Sequence, residues 1–372
     1  MLFSRIYGQG PLKARLIGNV REGRVPHAQL FLGPRGSGGL PMALGYARYL
    51  LCQDQGVADA CGQCASCVQM DQLAHPDLHV AFPIFFKEKQ PRNCDPYVQQ
   101  WREAVFKEAY LDLDLWREAM DGENKQLRMG VDIAQEINRK LTLKSFKGGY
   151  KVMLIWLPET MDAQASNKLL KVLEEPEPRT VFLMVAQEAE RILPTILSRV
   201  QLVRVPALTG TDIAEALHAR YPGEAEADLR SVAVRSEGDL LEAVAMVEKS
   251  EEVLFTLLRD WLRSCYTRKA NETVDHSEVF AKLGREQQKA MLRYALYLVG
   301  QSVLEWQQVP ELVRVAGAER AFTKGFSRLL DMENLPGIRQ ELETAHVHIE
   351  RNANPKLLFM DLSYKMMDLL RR

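Results

Sequence analysis

The chain has 372 residues, of which 47% are hydrophobic and 26% carry a charge. This balance is typical of a globular protein and argues against both disorder and a membrane protein, and the length allows two or three domains. The formal net charge of -1 gives no general attraction to nucleic acid, so contact with DNA would require a local patch or a partner chain. Residues 1–10 lack a signal-peptide core, and no stretch approaches the ~20 apolar residues of a membrane span, so we expect a cytoplasmic protein without membrane contact.

The first half of the chain alternates predicted helices and strands. Helical spacing over Ile6–Glu22 is followed by an apolar strand over Ala28–Gly33, a glycine-rich turn and a helix over Pro41–Cys52. The next predicted elements are a helix over Val131–Leu141, a strand over Lys151–Leu157, a helix over Asp162–Glu175 and a strand over Thr180–Ala186. Apolar strands that alternate with helices predict a parallel sheet with helices on both faces.

After Val203–Ala207 the apolar pattern becomes helical, and Thr209 and Thr211 are suited to cap the first of these helices. We predict three domains: an α/β domain over residues 1–207, a small helical domain over 208–250 and a larger all-helical domain over 251–372. The segment from about residue 80 to about residue 130 contains aromatic residues, charged residues and prolines without a clear period. We interpret it as an insertion in the α/β domain, and the sequence assigns this insertion no function.

A glycine-rich loop stands between the first predicted strand and the following helix. Gly33 and Gly38 have the spacing of a phosphate-binding loop, which presents its free N–H groups at a helix N-terminus. Gly39, however, replaces the lysine that contacts the β and γ phosphates, and Leu40 replaces the hydroxyl residue that binds magnesium. We predict that the shape of the loop is kept and that ATP is not bound or is bound only weakly.

The strand over Lys151–Leu157 gives a second indication of a lost nucleotide site. In a working ATPase this strand ends in acidic residues that hold magnesium and polarise water. Here Trp156 and Leu157 occupy those positions, and Glu159 comes two residues too late.

Four of the six cysteines lie within sixteen residues, at Cys52, Cys61, Cys64 and Cys67. In a reducing cytoplasm such a cluster indicates a metal site rather than disulfides. Four thiolates satisfy tetrahedral Zn²⁺ and leave no open position, so we predict a structural zinc ion. An iron–sulfur cluster, a redox role and buried free thiols are the alternatives. We interpret Cys94 and Cys265, which stand alone, as ordinary apolar residues.

Ser198 and Arg199 follow a helical run and precede a predicted strand. An arginine at this point could reach out of the domain, where its planar and permanently charged guanidinium suits a phosphate on a neighbouring chain. On these residues alone, a surface arginine in an ion pair is the simpler interpretation.

Taken together, these segments resemble the delta-prime subunits of the bacterial DNA polymerase III clamp loader, over residues 3 to about 205. The similarity is carried by RVPHAQLFLGPRGSGGL, the four-cysteine segment 52–67, the HPD at His75–Asp77, SNKLLKVLEEPEPRTVFLMVA and ILSRV. The resemblance implies an AAA+ module with a zinc module, a helical lid and a helical C-terminal collar. It also implies a five-subunit ring with gamma/tau and delta subunits that loads the sliding clamp on primed DNA.

In that family a Ser-Arg-Cys motif presents an arginine finger to the ATP of the adjacent subunit. Ser198 and Arg199 match this motif, and Val200 replaces the cysteine. The gamma/tau ATPase shares these features but requires the loop lysine, the threonine, the acids and a lid arginine, at whose position this chain has Leu241. We therefore predict a non-hydrolysing subunit, with a gamma/tau-like ATPase and a zinc-stabilised interaction protein unrelated to replication as alternatives.

Overall fold

The computed structural model describes residues 1–86, 92–120, 126–142, 145–146, 148–222, 226–248, 251–315 and 317–370. The chain forms two compact units, Met1–Ala245 and Met246–Arg372. The boundary that we predicted near residue 250 falls at residues 249–250, outside the described residues, and the three-domain division stays a prediction.

The N-terminal unit combines a sheet with many helices. Its strands are β1 (Ala28–Leu32), β2 (Leu78–Ala81), β3 (Lys151–Trp156), β4 (Thr180–Ala186) and β5 (Gln201–Arg204). Its α-helices are α1 (Gly10–Arg21), α2 (Gly39–Leu51), α3 (Ala65–Asp71), α4 (Val98–Lys107), α5 (Leu113–Ala119), α6 (Val131–Thr142), α7 (Ala163–Glu174), α8 (Pro194–Leu197), α9 (Gly210–Arg220), α10 (Glu226–Arg235) and α11 (Leu240–Glu248). Short 3₁₀ turns lie at Phe3–Arg5, Asp95–Tyr97, Pro158–Thr160 and Ala189–Arg191.

The five strands form one parallel sheet in the order β2-β3-β4-β1-β5. In the central pair, Ala28 of β1 stands opposite Phe182 of β4, and Leu32 stands opposite Ala186. Every residue of β3 and β4 is buried, as expected for strands that helices cover on both faces. The predicted α/β fold class, an AAA+ P-loop-type module followed by helical regions, is confirmed. Because all strands run the same way, the carboxyl ends of β1, β3 and β4 meet at one edge of the sheet.

The elements predicted by residue range agree with the structure to within one residue at each end, except at two helix starts, and helices α3, α4 and α5 were not predicted. The first helix begins at Gly10 rather than Ile6, because Gln9 has a left-handed backbone (φ 60°) and Pro11 favours a helix start. The helix after the glycine-rich loop begins two residues earlier than predicted, at Gly39. Strand β2 was not predicted, since its four residues are too few to show a period.

The α9–α11 segment follows the sheet. Helix α9 begins with a capping box in which the Thr209 side chain accepts from the Asp212 N–H while the Asp212 carboxylate accepts from the Thr209 N–H. The predicted capping role of Thr209 is confirmed. Helices α9 and α10 lie wholly in the N-terminal unit, and α11 begins in it and ends at Glu248.

The insertion, residues 82–130, connects β2 to α6 and is packed around aromatic side chains. Phe82 stacks on Trp101 with ring centroids 5.3 Å apart and meets Trp116 edge-on at the same distance. Both tryptophans are fully buried, and Trp116 Nε1 donates to the Pro83 carbonyl at 2.8 Å. Trp101 also lies 6.5 Å from the ring of Trp156 in β3, so the insertion shares the core of the sheet. Residues 87–91 and 121–125 of the predicted insertion lie outside the described residues.

The C-terminal unit is helical throughout its described residues. Its helices are α12 (Glu251–Tyr266), α13 (Ala270–Lys282), α14 (Arg285–Trp306), α15 (Gly317–Phe326), α16 (Leu335–Glu350) and α17 (Pro355–Leu369), with 3₁₀ turns at Pro310–Leu312 and Ser327–Leu329. Phe280 and Trp261 pack against Phe359 in its core. Among the helices described in either unit, none combines the length and the apolar character that a membrane span requires.

Candidate functional site

The glycine-rich loop lies at the carboxyl edge of the sheet, between β1 and the N-terminus of α2. Gly36 and Gly38 have left-handed φ angles of 70° and 93°, which side chains with a Cβ rarely adopt. A Cβ on Gly33 would lie 2.2 Å from the Val205 carbonyl oxygen, so the strand end also requires glycine. Glycine is thus required by the backbone at three positions of the loop between β1 and α2.

This loop lacks the lysine and the hydroxyl side chain that contact phosphate and magnesium in a nucleotide site. Gly39 is the first residue of α2, and the Leu40 side chain is buried in the core. The cleft is lined by Gly33, Pro34, Gly36, Ser37, Gly38, Gly39, Leu40, Pro41, Tyr110, Leu111, Trp156, Leu157, Val185, Ala186 and Gln187. In the part of the chain that the structure describes, no lysine and no carboxylate lines this cleft.

The end of β3 shows what replaced the acidic residues. Trp156 is buried, and Leu157 is buried with a left-handed backbone (φ 58°), a conformation that is uncommon for a bulky residue. The carboxylate of Glu159 is not among the groups that line the cleft, and it accepts from the Gln187 N–H at 2.7 Å. Burial raises the pKa of Glu159 to about 6, although the N–H donors of Gln187 and its neighbours oppose this shift.

Tyr110 of the insertion covers the loop. Its Cε1 lies 3.0 Å from the point where a Cβ on Gly38 would stand, and its hydroxyl accepts from the Tyr7 N–H at 3.1 Å. The cleft that remains has a volume of about 20 Å³, which is enough for a single water molecule. Little enclosed space is therefore left between Tyr110 and the loop in this conformation.

Arg35, at the tip of the loop, is held by carboxylates from two other segments. It donates to Asp112 of the insertion and, at 2.6 Å, to Asp239 just before α11, and Glu242 lies 3.8 Å away. Burial disfavours the charge of Arg35, but Asp112 and Asp239 outweigh it and raise the pKa of the guanidinium. The loop arginine thus holds the insertion and the α9–α11 segment to the loop.

Arg199 lies on the surface of the N-terminal unit, between α8 and β5. Its Nε donates to Glu174 at 2.6 Å, and its Nη1 donates to the Thr195 carbonyl at 2.8 Å and to Ser198 Oγ at 3.1 Å. Its side chain is 31% exposed. Because an exposed ion pair contributes about 0–1 kcal/mol, the guanidinium can leave Glu174 for a stronger anion at little cost.

The four clustered cysteines meet at one point, after α2 and at the start of α3. Four of their Sγ–Sγ separations, Cys52–Cys61, Cys52–Cys64, Cys61–Cys67 and Cys52–Cys67, are 3.6, 4.0, 3.9 and 3.7 Å. A tetrahedron with metal–sulfur bonds of about 2.3 Å has edges of about 3.8 Å, so the four sulfurs fit one tetrahedral ion. The separations are too long for a disulfide, and a cluster of several irons would hold its cysteines further apart.

Backbone N–H donors and a buried arginine surround the four cysteine sulfurs. The N–H groups of Cys61, Cys64 and Cys67 donate to the sulfurs of Cys52, Cys61 and Cys64 at 3.3 to 3.4 Å. Arg48 of α2 is buried beside the group and donates to the Asp71 carboxylate. Donors of this kind stabilise thiolates and fix the orientation of metal ligands.

The two isolated cysteines stand outside this group and are buried. The Cys94 thiol donates to the Phe82 carbonyl at 3.3 Å, and Cys265 lies in the core of the C-terminal unit. Burial raises the pKa of both thiols to about 12, so neither is a reactive thiolate at neutral pH.

Sequence analysis did not find Arg35, Tyr110 or Asp112. Arg35 stands inside a recognisable loop, but nothing in the sequence indicates a partner 77 residues away. Tyr110 and Asp112 lie in the insertion, for which no function was predicted.

The strand–loop–helix geometry at the edge of a parallel sheet, with helices after it, is that of a P-loop-type α/β protein. Its loop is altered and covered, and a four-cysteine element follows α2. A family model described as DNA polymerase III, delta subunit, matches residues 8–209, and the chain belongs to this family.

Relatives with this similarity come from several bacteria. DNA polymerase III subunit delta′ of Pseudomonas aeruginosa is 29% identical over 223 residues, 59% of this chain and 56% of that protein. The Escherichia coli subunit of the same name is 30% identical over 188 residues, 50% of this chain and 45% of that protein. A Mycobacterium bovis DNA polymerase III subunit gamma/tau is 28% identical over 197 residues, 53% of this chain and 27% of that protein. The chain spans about half the length of the delta′ relatives.

Proposed function

We propose that this chain is a delta-prime-type subunit of a DNA polymerase III clamp loader that does not hydrolyse ATP at its own loop. In this role it assembles with gamma/tau and delta subunits, and through the complex it acts on the sliding clamp and primed DNA. The observation that supports the proposal most strongly is the loop itself, which lacks the lysine, the hydroxyl and the acids and is covered by Tyr110. The C-terminal helices would serve as the collar through which the subunits assemble.

The catalytic contribution that we propose is made in trans by Arg199. Its guanidinium stands at the surface in a weak ion pair, with Ser198 beside it, and a γ phosphate of a neighbouring subunit offers more negative charge than Glu174. When the guanidinium moves to that phosphate, it stabilises charge that develops as the phosphoryl group is transferred. Ser198 positions the guanidinium through the 3.1 Å contact to its Oγ.

The test is ATP hydrolysis by the complex reconstituted with gamma/tau, delta, clamp and primed DNA. Arg199→Ala should reduce turnover at the one dependent site by roughly 10³ to 10⁵, with assembly unchanged. The matched control is Arg191→Ala, since Arg191 is also an exposed arginine in an ion pair, with Glu188, and it should leave turnover unchanged. Normal hydrolysis by the Arg199→Ala complex would refute the trans role.

The four cysteines would hold structural Zn²⁺ through Cys52, Cys61, Cys64 and Cys67. Bound zinc would supply a closed tetrahedral crosslink between the end of α2 and the start of α3, with no position for substrate. Arg48 would offset part of the negative charge of four thiolates around a divalent ion.

A gamma/tau-type ATPase is the second candidate, because gamma/tau proteins are among the similar sequences. It predicts ATP turnover by the isolated chain, which our proposal does not. An interaction protein unrelated to replication is the third, and it predicts that no clamp-loader subunit co-purifies with the chain.

A further inference from the structure

Part of the insertion lies between the glycine-rich loop and the α9–α11 segment. We call residues 108–112 the covering segment. Towards the loop, it places the Tyr110 ring against Gly38 and the Asp112 carboxylate on Arg35. Towards α9, the Glu108 carboxylate accepts from both terminal nitrogens of Arg220, at 2.7 and 3.2 Å. One five-residue stretch thus contacts both the loop and α9.

The α9–α11 segment also meets the loop directly, at Asp239. This carboxylate accepts from Arg35 through Oδ2, and through Oδ1 it accepts from the N–H groups of Leu241 and Glu242 at the start of α11. The approach is so close that a Cβ on Gly36 would lie 2.0 Å from Asp239 Oδ1. Arg35 therefore joins the covering segment and α11 through one side chain.

The carboxylates of these ion pairs are largely buried, whereas the arginines are partly exposed. The Asp112 side chain is only 4% exposed, and the Glu108 side chain is 16% exposed. Removing one partner of such a pair leaves the other charge poorly solvated, which destabilises the closed arrangement. Asp112 also caps α5 by accepting from the Leu115 N–H at 2.8 Å, so its position is fixed by its own helix.

We infer that the covering segment takes the place of a nucleotide: it fills the cleft over the loop and holds the α9–α11 segment to the sheet without any ligand. In P-loop proteins bound phosphates occupy this cleft and contact the N–H groups of the loop. Here Tyr110 occupies the cleft, and Arg35 and Arg220 carry the attachment to the helices. The N-terminal unit is thereby held in one arrangement whether or not ATP is present.

Amide hydrogen exchange on the full chain tests this inference. Asp112→Asn keeps the cap on α5 but removes the charge that faces Arg35, and Tyr110→Ala empties the cleft. Both changes should speed exchange about tenfold in residues 33–40 and 209–245, because local opening becomes more frequent. Peptides from β3 and β4 should exchange as before. Wild-type exchange should not respond to Mg·ATP.

The matched control is Asp114→Asn, which removes a carboxylate from the same helix start where it pairs with Arg117 instead. It should leave residues 33–40 and 209–245 unchanged. If Asp112→Asn and Tyr110→Ala behave like this control, the covering segment does not hold the helices and the inference is wrong.

If Asp112→Asn or Tyr110→Ala unfolds the sheet, a variant in α9 tests the same inference. Arg220→Gln removes the contact to Glu108 from α9 and leaves the loop and the insertion intact. It should speed exchange in residues 209–220 while β3 and β4 keep their protection. Unchanged exchange in α9 would overturn the inference. None of these readouts depends on clamp loading, so a failure of the proposed function would appear separately.

Discussion

At the scale of single residues, Glu159 is a buried carboxylate close to the end of β3. It is 6% exposed, and its raised pKa of about 6 means that the native state binds a proton more tightly than the unfolded chain does. Stability therefore decreases as pH rises from the ordinary value of 4.5 to about 6, and the loss persists above that range. Burying the charged carboxylate lowers the free energy of unfolding, and the hydrogen bond to Gln187 offsets only part of this loss.

Glu159→Gln should remove this loss. The amide oxygen can still accept from the Gln187 N–H, so the variant should be more stable than wild type above pH 6 by up to about 2 kcal/mol and equal to it near pH 4. Denaturant unfolding at both pH values measures the difference. Glu190→Gln, an exposed change on the same connection, should have no effect at either pH, and an equal gain at both pH values would contradict the assignment.

At the scale of elements, the four-cysteine segment brings four thiols to one point between α2 and α3. It joins the end of α2 to the start of α3. Cys52 and Cys67 belong to the same core as the strands, but the strands are also held by their own hydrogen bonds within the sheet. Metal loss should therefore disturb residues 52–71 more than the strands.

Elemental analysis should find about one zinc per chain, and Cys64→Ser should reduce this content severely, because three thiolates and a hydroxyl bind zinc less well. Cys94→Ser is the control, since Cys94 is also a buried cysteine but bonds to Phe82. Full zinc content in the Cys64→Ser protein would exclude this site.

The same scale shows what the sequence could and could not predict. Strands β3 and β4, the glycine spacing and the cysteine cluster were predictable because each is specified by neighbouring residues. The contacts between Arg35 and Asp112, and between Gly38 and Tyr110, were not, because they join segments more than 70 residues apart. Strand β2 depends on its pairing with β3 rather than on its own four residues. Arg199 was found only through a short motif, and its role remains a proposal.

At the scale of the whole molecule, the covered loop predicts that ATP does not change the thermal stability of the chain. A ligand present at 100 times its dissociation constant stabilises the folded state by about 2.7 kcal/mol, which is several degrees in melting temperature. We expect about 1 mM Mg·ATP to leave the melting temperature of this chain unchanged, since the loop has no lysine at Gly39 and no hydroxyl at Leu40, and Tyr110 packs against Gly38. A gamma/tau subunit is the positive control, and a rise of several degrees in this chain would show that the loop still binds ATP.

The aromatic packing of the insertion has a spectroscopic consequence. Three of the five tryptophans, Trp101, Trp116 and Trp156, lie within or against the insertion, and all three are buried. Their emission reports on the same part of the molecule that covers the loop, whereas Trp261 and Trp306 report on the C-terminal helices. The chain thus carries its own optical label for the insertion, with no added dye and no change of sequence.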